Sequence, residues 1–125
     1  MIDQITLTIP REPDFHRVAH LVLGGLAVRL DLTIENLEDL ELALDSLLDR
    51  VDGRHRKGDE LTVTMSLRDG ELETRVGPLS DVVLDELERD GGDGLDLRRV
   101  LASTVDDVLV EGDTVVLTKK VAAHG

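Results

Sequence analysis

Hydrophobic and polar residues alternate at every second position near the start of the chain. Between Gln4 and Ile9, the aliphatic residues Ile5, Leu7 and Ile9 fall on one face and two threonines fall on the other. A period of two that is rich in β-branched residues is typical of a β-strand. Pro10 is expected to end this strand because proline cannot donate to a sheet.

The spacing of apolar residues then changes to three and four, which indicates a helix. Pro13 and Asp14 are expected to open it. Its apolar positions are Phe15, Val18, Ala19, Val22, Leu23, Leu26 and Leu30. Gly24-Gly25 lies in its middle and costs about 1 kcal/mol per glycine, and a close contact with another backbone would explain both residues.

A second helix is predicted from Thr33, which is a suitable N-cap, to about Asp52, with Gly53 as its C-terminal stop. Its apolar residues are expected to face inward: Ile34, Leu37, Leu40, Leu44, Leu47, Leu48 and Val51. Its other face is acidic: Glu35, Glu38, Asp39, Glu41, Asp45, Asp49 and Asp52.

The second half of the chain is predicted to contain two hairpins separated by two helices. Strands over 61–67 and 71–76 are joined by Asp69-Gly70, a strong hairpin signal. A short helix over 81–89 is expected to bury Val82, Val83 and Leu87, and another helix runs through Leu95, Val100 and Leu101. Strands over 105–110 and 114–121 follow. The predicted order is β-α-α-β-β-α-α-β-β.

Length and composition fit one domain spanning residues 1–125. A hydrophobic content of 41% permits a core, and the absence of cysteine excludes disulfides, thiolate nucleophiles and cysteine-ligated zinc. No segment approaches the roughly 18 apolar residues of a membrane span, and the N-terminus has no signal-peptide pattern. We therefore expect a soluble cytoplasmic protein.

The net charge of −13, from 27 acidic and 14 basic residues, restricts the partners. Such a field repels phosphate backbones, and Phe15 is the only aromatic side chain that could stack on a base. Direct nucleic-acid binding is therefore not expected. An acidic surface suits a basic protein partner, although solubility alone explains it equally well.

His16 and His20 are four residues apart on the first predicted helix, a spacing that can chelate zinc. No third ligand is evident in the sequence. We therefore predict two partly exposed helix residues and no metal site.

Two segments carry a family resemblance. Residues 39–51 read DLELALDSLLDRV, and Gly92-Asp93-Gly94-Leu95 precedes the fourth predicted helix. Together with the order of elements, they resemble the GHKL ATPase superfamily, and most closely the anti-sigma regulatory serine/threonine kinases of Gram-positive bacteria. The resemblance covers nearly the whole chain. It implies an α+β two-layer sandwich with a mixed, mostly antiparallel sheet, covered on one face by helices, and with ATP held between the layers.

The family motif on the second helix reads approximately D-L-x-L-A-V-x-E-x-x-x-N-A. Its catalytic glutamate falls on Ser46 and its magnesium-binding asparagine falls on Arg50. A serine cannot act as that base, and an arginine cation opposes magnesium. Asp45 and Asp49 keep the same spacing one residue earlier, but one position turns a side chain by about 100°. We expect them to be solvated and to face away from the family's pocket.

The other nucleotide motifs also depart from the family. The aspartate that accepts the adenine amino group falls on Gly77, which has no side-chain acceptor. Gly92 and Gly94 match a phosphate-binding loop, but Asp93 adds a negative charge between them. This loop is interpreted as vestigial, and a simple connector that requires positive φ is the plainer alternative.

These comparisons lead to two hypotheses. The first is a degenerate anti-sigma-like regulator without a cofactor or catalytic residues, which binds a sigma factor, an anti-anti-sigma protein or a second copy of itself. The alternative is an active kinase that uses Mg-ATP, with Asp45 or Asp49 replacing the missing residues. A structural module without a regulatory role is a third possibility.

Overall fold

One antiparallel sheet forms the base of the fold, in the strand order β1-β2-β3-β5-β4. The computed structural model describes residues 3–10, 12–51, 60–88 and 97–121. Within them, the elements are β1 (Asp3–Pro10), a 3-10 turn (Pro13–Phe15), α1 (His16–Leu30), α2 (Ile34–Val51), β2 (Glu60–Arg68), β3 (Glu71–Gly77), α3 (Asp81–Glu88), α4 (Leu97–Thr104), β4 (Asp107–Glu111) and β5 (Thr114–Lys120). This order is the predicted one. The predicted helix stop at Gly53, the loop glycines Gly92 and Gly94, and Leu95 lie outside the described residues.

All four strand junctions are antiparallel. Asp69 and Gly70 join β2 to β3 with φ angles of 51° and 78°. Two successive positive φ angles are what a type I′ hairpin turn requires. The hairpin predicted from the Asp-Gly pair is therefore confirmed.

The core lies between one face of this sheet and the helices. Alternate strand residues point into it and are buried: Ile9, Leu61, Val63, Met65, Leu72, Val76, Val115 and Leu117. The helices contribute Leu23, Leu44, Leu47, Leu48, Leu87, Leu97 and Leu101 to the same cluster. Burial of apolar area stabilises this two-layer arrangement by about 25 cal/mol per Å², and the predicted two-layer sandwich is confirmed.

No described helix covers the opposite face of the sheet, and most side chains on this face are polar. Arg75 donates hydrogen bonds to Glu73 at 2.8 Å and to Glu111 of β4 at 3.1 Å. In the register, Val116 lies between Arg75 and Leu109, and it is buried. The bond between Arg75 and Glu111 thus links β3 to β4 across β5 on this face.

Two predicted core residues are exposed instead. Ile34 is 74% exposed and Val82 is 55% exposed. Ile34 precedes the buried Leu40 by six positions, which places it about 120° away around the helix. Val82 lies about 100° around the helix from its neighbour Val83, and Val83 is the one that is buried.

Gly24 and Gly25 also differ from the prediction. A side chain at either position would find no atom within 4 Å. The expected backbone contact is therefore not made within the described part of the chain.

None of the described helices has the length and apolar character that crossing a membrane requires.

Candidate functional site

Helix α2 carries the residues that match the family motif. It begins after Thr33, whose Oγ1 accepts a hydrogen bond from the N–H of Asn36 at 3.1 Å. This N-cap interaction satisfies a backbone donor that a helix start leaves unpaired. Leu40, Leu44 and Leu47 anchor the helix in the core, and this anchoring fixes which way its polar residues point.

One side of α2 faces α1 and holds a histidine between two carboxylates. Nε2 of His20 lies 2.5 Å from Oδ1 of Asp45, and Nδ1 lies 3.3 Å from Oε2 of Glu41. The histidine side chain is 28% exposed, so the cluster is partly shielded from water. The side chain of Asp45 is 48% exposed and is also paired with α1, a partner that was not predicted, whereas Asp49 is exposed as predicted.

The pKa of His20 lies above its ordinary value of 6.5. Burial lowers this pKa, but the hydrogen bonds and charges of Asp45 and Glu41 together raise it by more. A protonated ring can donate from both nitrogens, whereas a neutral ring can donate from only one. Two flanking carboxylates therefore favour the cation.

Ser46 lies on a different side of the same helix. Asp39 marks the side of α2 that faces β5, because its Oδ2 accepts a hydrogen bond from Nζ of Lys119 at 3.0 Å. Ser46 follows Asp39 by seven residues, which is almost two full turns. Ser46 therefore shares the β5 side of α2, while Asp45 lies on the α1 side. The predicted separation of these two neighbours is confirmed.

The Ser46 hydroxyl is directed to its own helix. Oγ donates to the carbonyl oxygen of Leu42 at 2.8 Å. This back-bond is a common local use of a helical serine. It provides no carboxylate base at the position where the family motif has glutamate.

Arg50 lies four residues after Ser46 in the last turn of α2. This spacing places the two positions on one side of the helix. Its side chain lies outside the described part of the structure.

Gly77 ends β3 in close contact with the turn between β4 and β5. A Cβ atom at this position would lie 2.6 Å from Oγ1 of Thr114 and 3.1 Å from the carbonyl oxygen of Asp113. The N–H of Leu79 donates to that same carbonyl at 2.7 Å, which ties the segment to the turn. Neither Gly77 nor Pro78 carries a side-chain acceptor, and little space is left for a side chain at residue 77.

Two contacts tie α3 to the start of α4. Nη1 of Arg98 donates to the carbonyl oxygen of Leu87 at 2.6 Å, and the N–H of Leu97 donates to Oε1 of Glu86 at 3.3 Å. These bonds satisfy backbone groups that helix ends leave unpaired. The predicted phosphate-loop residues Gly92 and Gly94 belong to the segment between these helices, outside the described ranges.

A depression of about 440 Å³ lies elsewhere, on the open face of the sheet. Its lining is polar and includes Thr64, Ser66, Arg68 and Glu71. In residues 3–10, 12–51, 60–88 and 97–121, no three or more histidine and acidic side chains form a group that could hold a metal ion.

Two contacts at the candidate site could not be read from the sequence. His20 was predicted as a partly exposed helix residue, and its two carboxylate partners on α2 were not identified. The contact of Gly77 with the β4–β5 turn was also missed, because residues 77 and 113–114 are distant in sequence. Neither feature leaves a local sequence signal.

No protein-family model matches the chain. The chain is similar to the serine-protein kinase RsbW of Listeria innocua serovar 6a, at 31% identity over 138 aligned positions that cover 95% of this chain and 88% of the relative. RsbW of Listeria monocytogenes serovar 1/2a is 33% identical over 139 positions, with the same coverage. RsbW of Bacillus licheniformis is 27% identical, and the alignment covers 85% of its length.

A solved structure shares the fold. It contains the RsbU and RsbW domains of a Mycobacterium tuberculosis protein and matches 97% of this chain with a TM-score of 0.69 and 14% identity. This chain covers 34% of that longer chain. The likeness in fold agrees with the resemblance that the second helix and the order of elements indicate.

Proposed function

The chain belongs to the serine-protein kinase RsbW family of the GHKL superfamily, and from that premise we propose that it is an anti-sigma-type regulator that binds other proteins and has lost or much weakened its nucleotide binding. The proposal assigns it no catalytic residue and no cofactor. Its regulatory role follows from the family, and the loss of nucleotide binding is inferred from the chain's own residues.

The environment of Gly77 is the observation that supports the proposed loss of nucleotide binding. The family aspartate matched to this position accepts a hydrogen bond from adenine. Here the position has no side chain, and the β4–β5 turn comes within 2.6 to 3.2 Å of where a Cβ would lie. An aspartate could fit only if Thr114 or the backbone moved. Specific adenine recognition therefore has neither its acceptor nor the space for one.

The α2 side of the site supports the same conclusion. The hydroxyl of Ser46 donates to a backbone carbonyl, and a serine cannot serve as the carboxylate base that the family motif has at that position. Asp45, which the kinase hypothesis would recruit, is bonded to His20 on the α1 side of the helix. The residues present do not fit Mg-ATP in the way the family motif holds it.

The outer surface of α2 supports a protein partner. Glu35, Glu38 and Asp49 are exposed there, and Leu42 among them is 51% exposed. Acidic side chains around an exposed aliphatic residue suit a partner with basic and apolar side chains. The family resemblance points to a sigma factor or an anti-anti-sigma protein as that partner.

One observation favours the alternative of an active kinase. The relatives at 31% and 33% identity are named serine-protein kinases, and this chain covers 88% of their length. Under this alternative, the chain would transfer phosphate from ATP to a serine of a partner protein. The two proposals differ in whether Mg-ATP is needed.

The experiment is to measure binding of purified sigma factors from the same organism, with and without Mg-ATP. We expect one of them to bind with the same affinity in both conditions. Binding that requires Mg-ATP, or phosphorylation of an anti-anti-sigma protein, would support the kinase alternative instead.

Matched charge variants test the surface in the same assay. The pair Glu38→Lys and Asp49→Lys is expected to weaken binding about tenfold or more, because it reverses two charges on the acidic face. The pair Glu71→Lys and Asp107→Lys changes the net charge equally on the open sheet face and is expected to have a smaller effect. Equal effects of the two pairs would exclude α2 as the contact.

A further inference from the structure

His20 connects α1 to the outer surface of α2. Nε2 lies 2.5 Å from Oδ1 of Asp45 and Nδ1 lies 3.3 Å from Oε2 of Glu41, so the ring contacts two carboxylates that are one turn apart on α2. Asp45 and Glu41 remain 48% and 40% exposed. Both carboxylates therefore contact the histidine and solvent at the same time.

These two carboxylates border the α2 surface to which we assign the protein partner. Asp45 follows Leu42 by three residues and precedes Asp49 by four. Glu41 follows Glu38 by three. Side chains three or four residues apart are neighbours on the surface of a helix. A cation that binds beside Glu38 and Asp49 therefore also lies close to the two partners of the histidine.

The proton on His20 sets the charge of this cluster. With a protonated ring the cluster has one uncompensated negative charge, and with a neutral ring it has two. Charges interact over a Debye length of about 8 to 10 Å at physiological salt, which includes the neighbouring side chains of α2. The protonated ring therefore lowers the attraction between this surface and a basic partner.

Other charged groups near His20 do not explain its raised pKa. They precede it on α1 and the 3-10 turn, or lie beyond its partners on α2: Asp14, His16, Arg17, Glu38 and Asp49. Among the described residues, Asp45 and Glu41 are the groups that raise this pKa, against the lowering effect of burial. The ring therefore responds to charge on α2.

We propose that the proton on His20 regulates the partner surface of α2: the protonated ring weakens the binding of a basic partner, and loss of the proton strengthens it. This inference rests on the proposed acidic contact surface but not on the proposed loss of nucleotide binding. Linkage is reciprocal, so a partner that binds the neutral form more tightly also favours release of the proton.

Affinity and stability should respond to pH in opposite directions. The pKa of His20 lies above 6.5, so the weakening of binding is largest at acidic pH and disappears as pH rises through the higher folded value. The same proton stabilises the contact between α1 and α2. Acidification is therefore expected to stabilise the fold and to release the partner.

The test uses an amphipathic peptide of leucine and lysine, whose apolar and basic side chains match exposed Leu42 and the acidic residues around it. Its Kd is measured by calorimetry from pH 5.5 to 9 for the full chain and three variants. His20→Gln removes the charge, His20→Lys keeps a charge at every pH in this range, and His16→Gln removes the histidine one turn away. The ratio of two Kd values at each pH cancels the titration of the remaining groups.

We expect the wild type to bind the peptide about three- to tenfold more weakly than His20→Gln at pH 5.5, and equally at pH 9. His20→Lys should bind weakly at every pH, and His16→Gln should follow the wild type. Equal affinities of the wild type and His20→Gln at pH 5.5 would overturn the proposal. An effect of His16→Gln as large as that of His20→Gln would also overturn it, because the cluster would then have no special role.

The pair Glu38→Lys and Asp49→Lys separates this inference from the proposed function. It should abolish peptide binding at every pH, because it reverses two charges beside the cluster. Binding that this pair leaves unchanged, or a peptide that binds none of the proteins, would contradict the acidic contact surface and the inference with it. A peptide that this pair abolishes but that ignores His20 would contradict the regulation alone.

Discussion

Thr74 and Thr104 are buried to a similar extent, at 5% and 3% exposure, but their hydroxyls have different surroundings. Oγ1 of Thr104 donates to carbonyl oxygens of its own helix, at 3.0 Å to Leu101 and 3.2 Å to Val100. The hydroxyl of Thr74, by contrast, has no hydrogen-bond partner among the described residues. It lies beside a small cavity whose other lining is apolar: Leu23, Leu40, Ala43, Leu44, Met65 and Leu117.

Replacing Thr74 with valine is therefore expected to stabilise the protein. A buried hydroxyl without a partner costs on the order of 1 kcal/mol or more, and valine has nearly the same shape without that cost. We expect Thr74→Val to raise the free energy of unfolding by about 1 kcal/mol in urea titrations. Thr104→Val is the control and is expected to lower it by about 0.5 to 1 kcal/mol. A loss of stability in both variants would mean that Thr74 also has a partner.

The His20 cluster predicts how stability changes with pH. The pKa of His20 is raised in the folded protein, by Asp45 and Glu41 against the lowering effect of burial. The stabilisation is therefore complete below the ordinary histidine pKa of about 6.5 and is lost as pH rises through the higher folded value. The contribution is expected to be about 1 kcal/mol or less, since the carboxylates are partly exposed.

Thermal unfolding of wild type and His20→Gln over pH 5 to 9 measures this contribution. The melting temperature of the wild type should exceed that of the variant by most at pH 5, and this difference should shrink towards pH 9. Asp45→Asn with Glu41→Gln is the control, and it should remove the same pH-dependent part. A difference that grows with pH would show that His20 is held neutral.

At the level of elements, the glycines of α1 and β3 have opposite environments. Gly24 and Gly25 have open space where a side chain would be, whereas Gly77 meets Thr114 and Asp113. Alanine stabilises a helix interior relative to glycine by roughly 0.5 to 1 kcal/mol. A crowded position instead forces neighbours to move, at a cost of about 1 to 3 kcal/mol.

We therefore expect Gly25→Ala to raise the melting temperature and Gly77→Ala to lower it. Differential scanning calorimetry on both variants and the wild type gives the two signs directly. A Gly25→Ala protein less stable than wild type would show that a second chain contacts this helix under the conditions used. A fully tolerated Gly77→Ala would remove the main support for a closed adenine position.

The elements themselves were predictable because their signals are local. The ITLTI alternation, the Thr33 cap and the Asp69-Gly70 turn each depend on residues within one strand, helix start or turn. The inward face of a helix is harder to predict near its ends: Ile34 and Val82 were assigned to the buried faces of their helices, but each lies to the side of the direction in which Leu40 and Val83 point. The pairing of His20 with Asp45 and the contact of Gly77 with the β4–β5 turn depend on elements distant in sequence.

At the scale of the whole molecule, net charge predicts how partner binding depends on salt. The protein carries a net charge of −13, and the proposed contact surface on α2 is acidic. If a basic partner binds there, its affinity should fall as salt is added. Affinity for the partner that is unchanged between low and high salt would argue against the acidic face as the contact surface.

We propose that this member of a kinase family acts without nucleotide, and thermal unfolding with and without millimolar Mg-ATP tests that proposal. A dye is needed because the chain has no tryptophan or tyrosine. Ligand at about 100 times its Kd would add roughly 2.7 kcal/mol, or several degrees for a domain of this size. We predict that Mg-ATP leaves the melting temperature unchanged. A rise of several degrees would contradict the claim and would make ATP-dependent phosphorylation the better account of this protein.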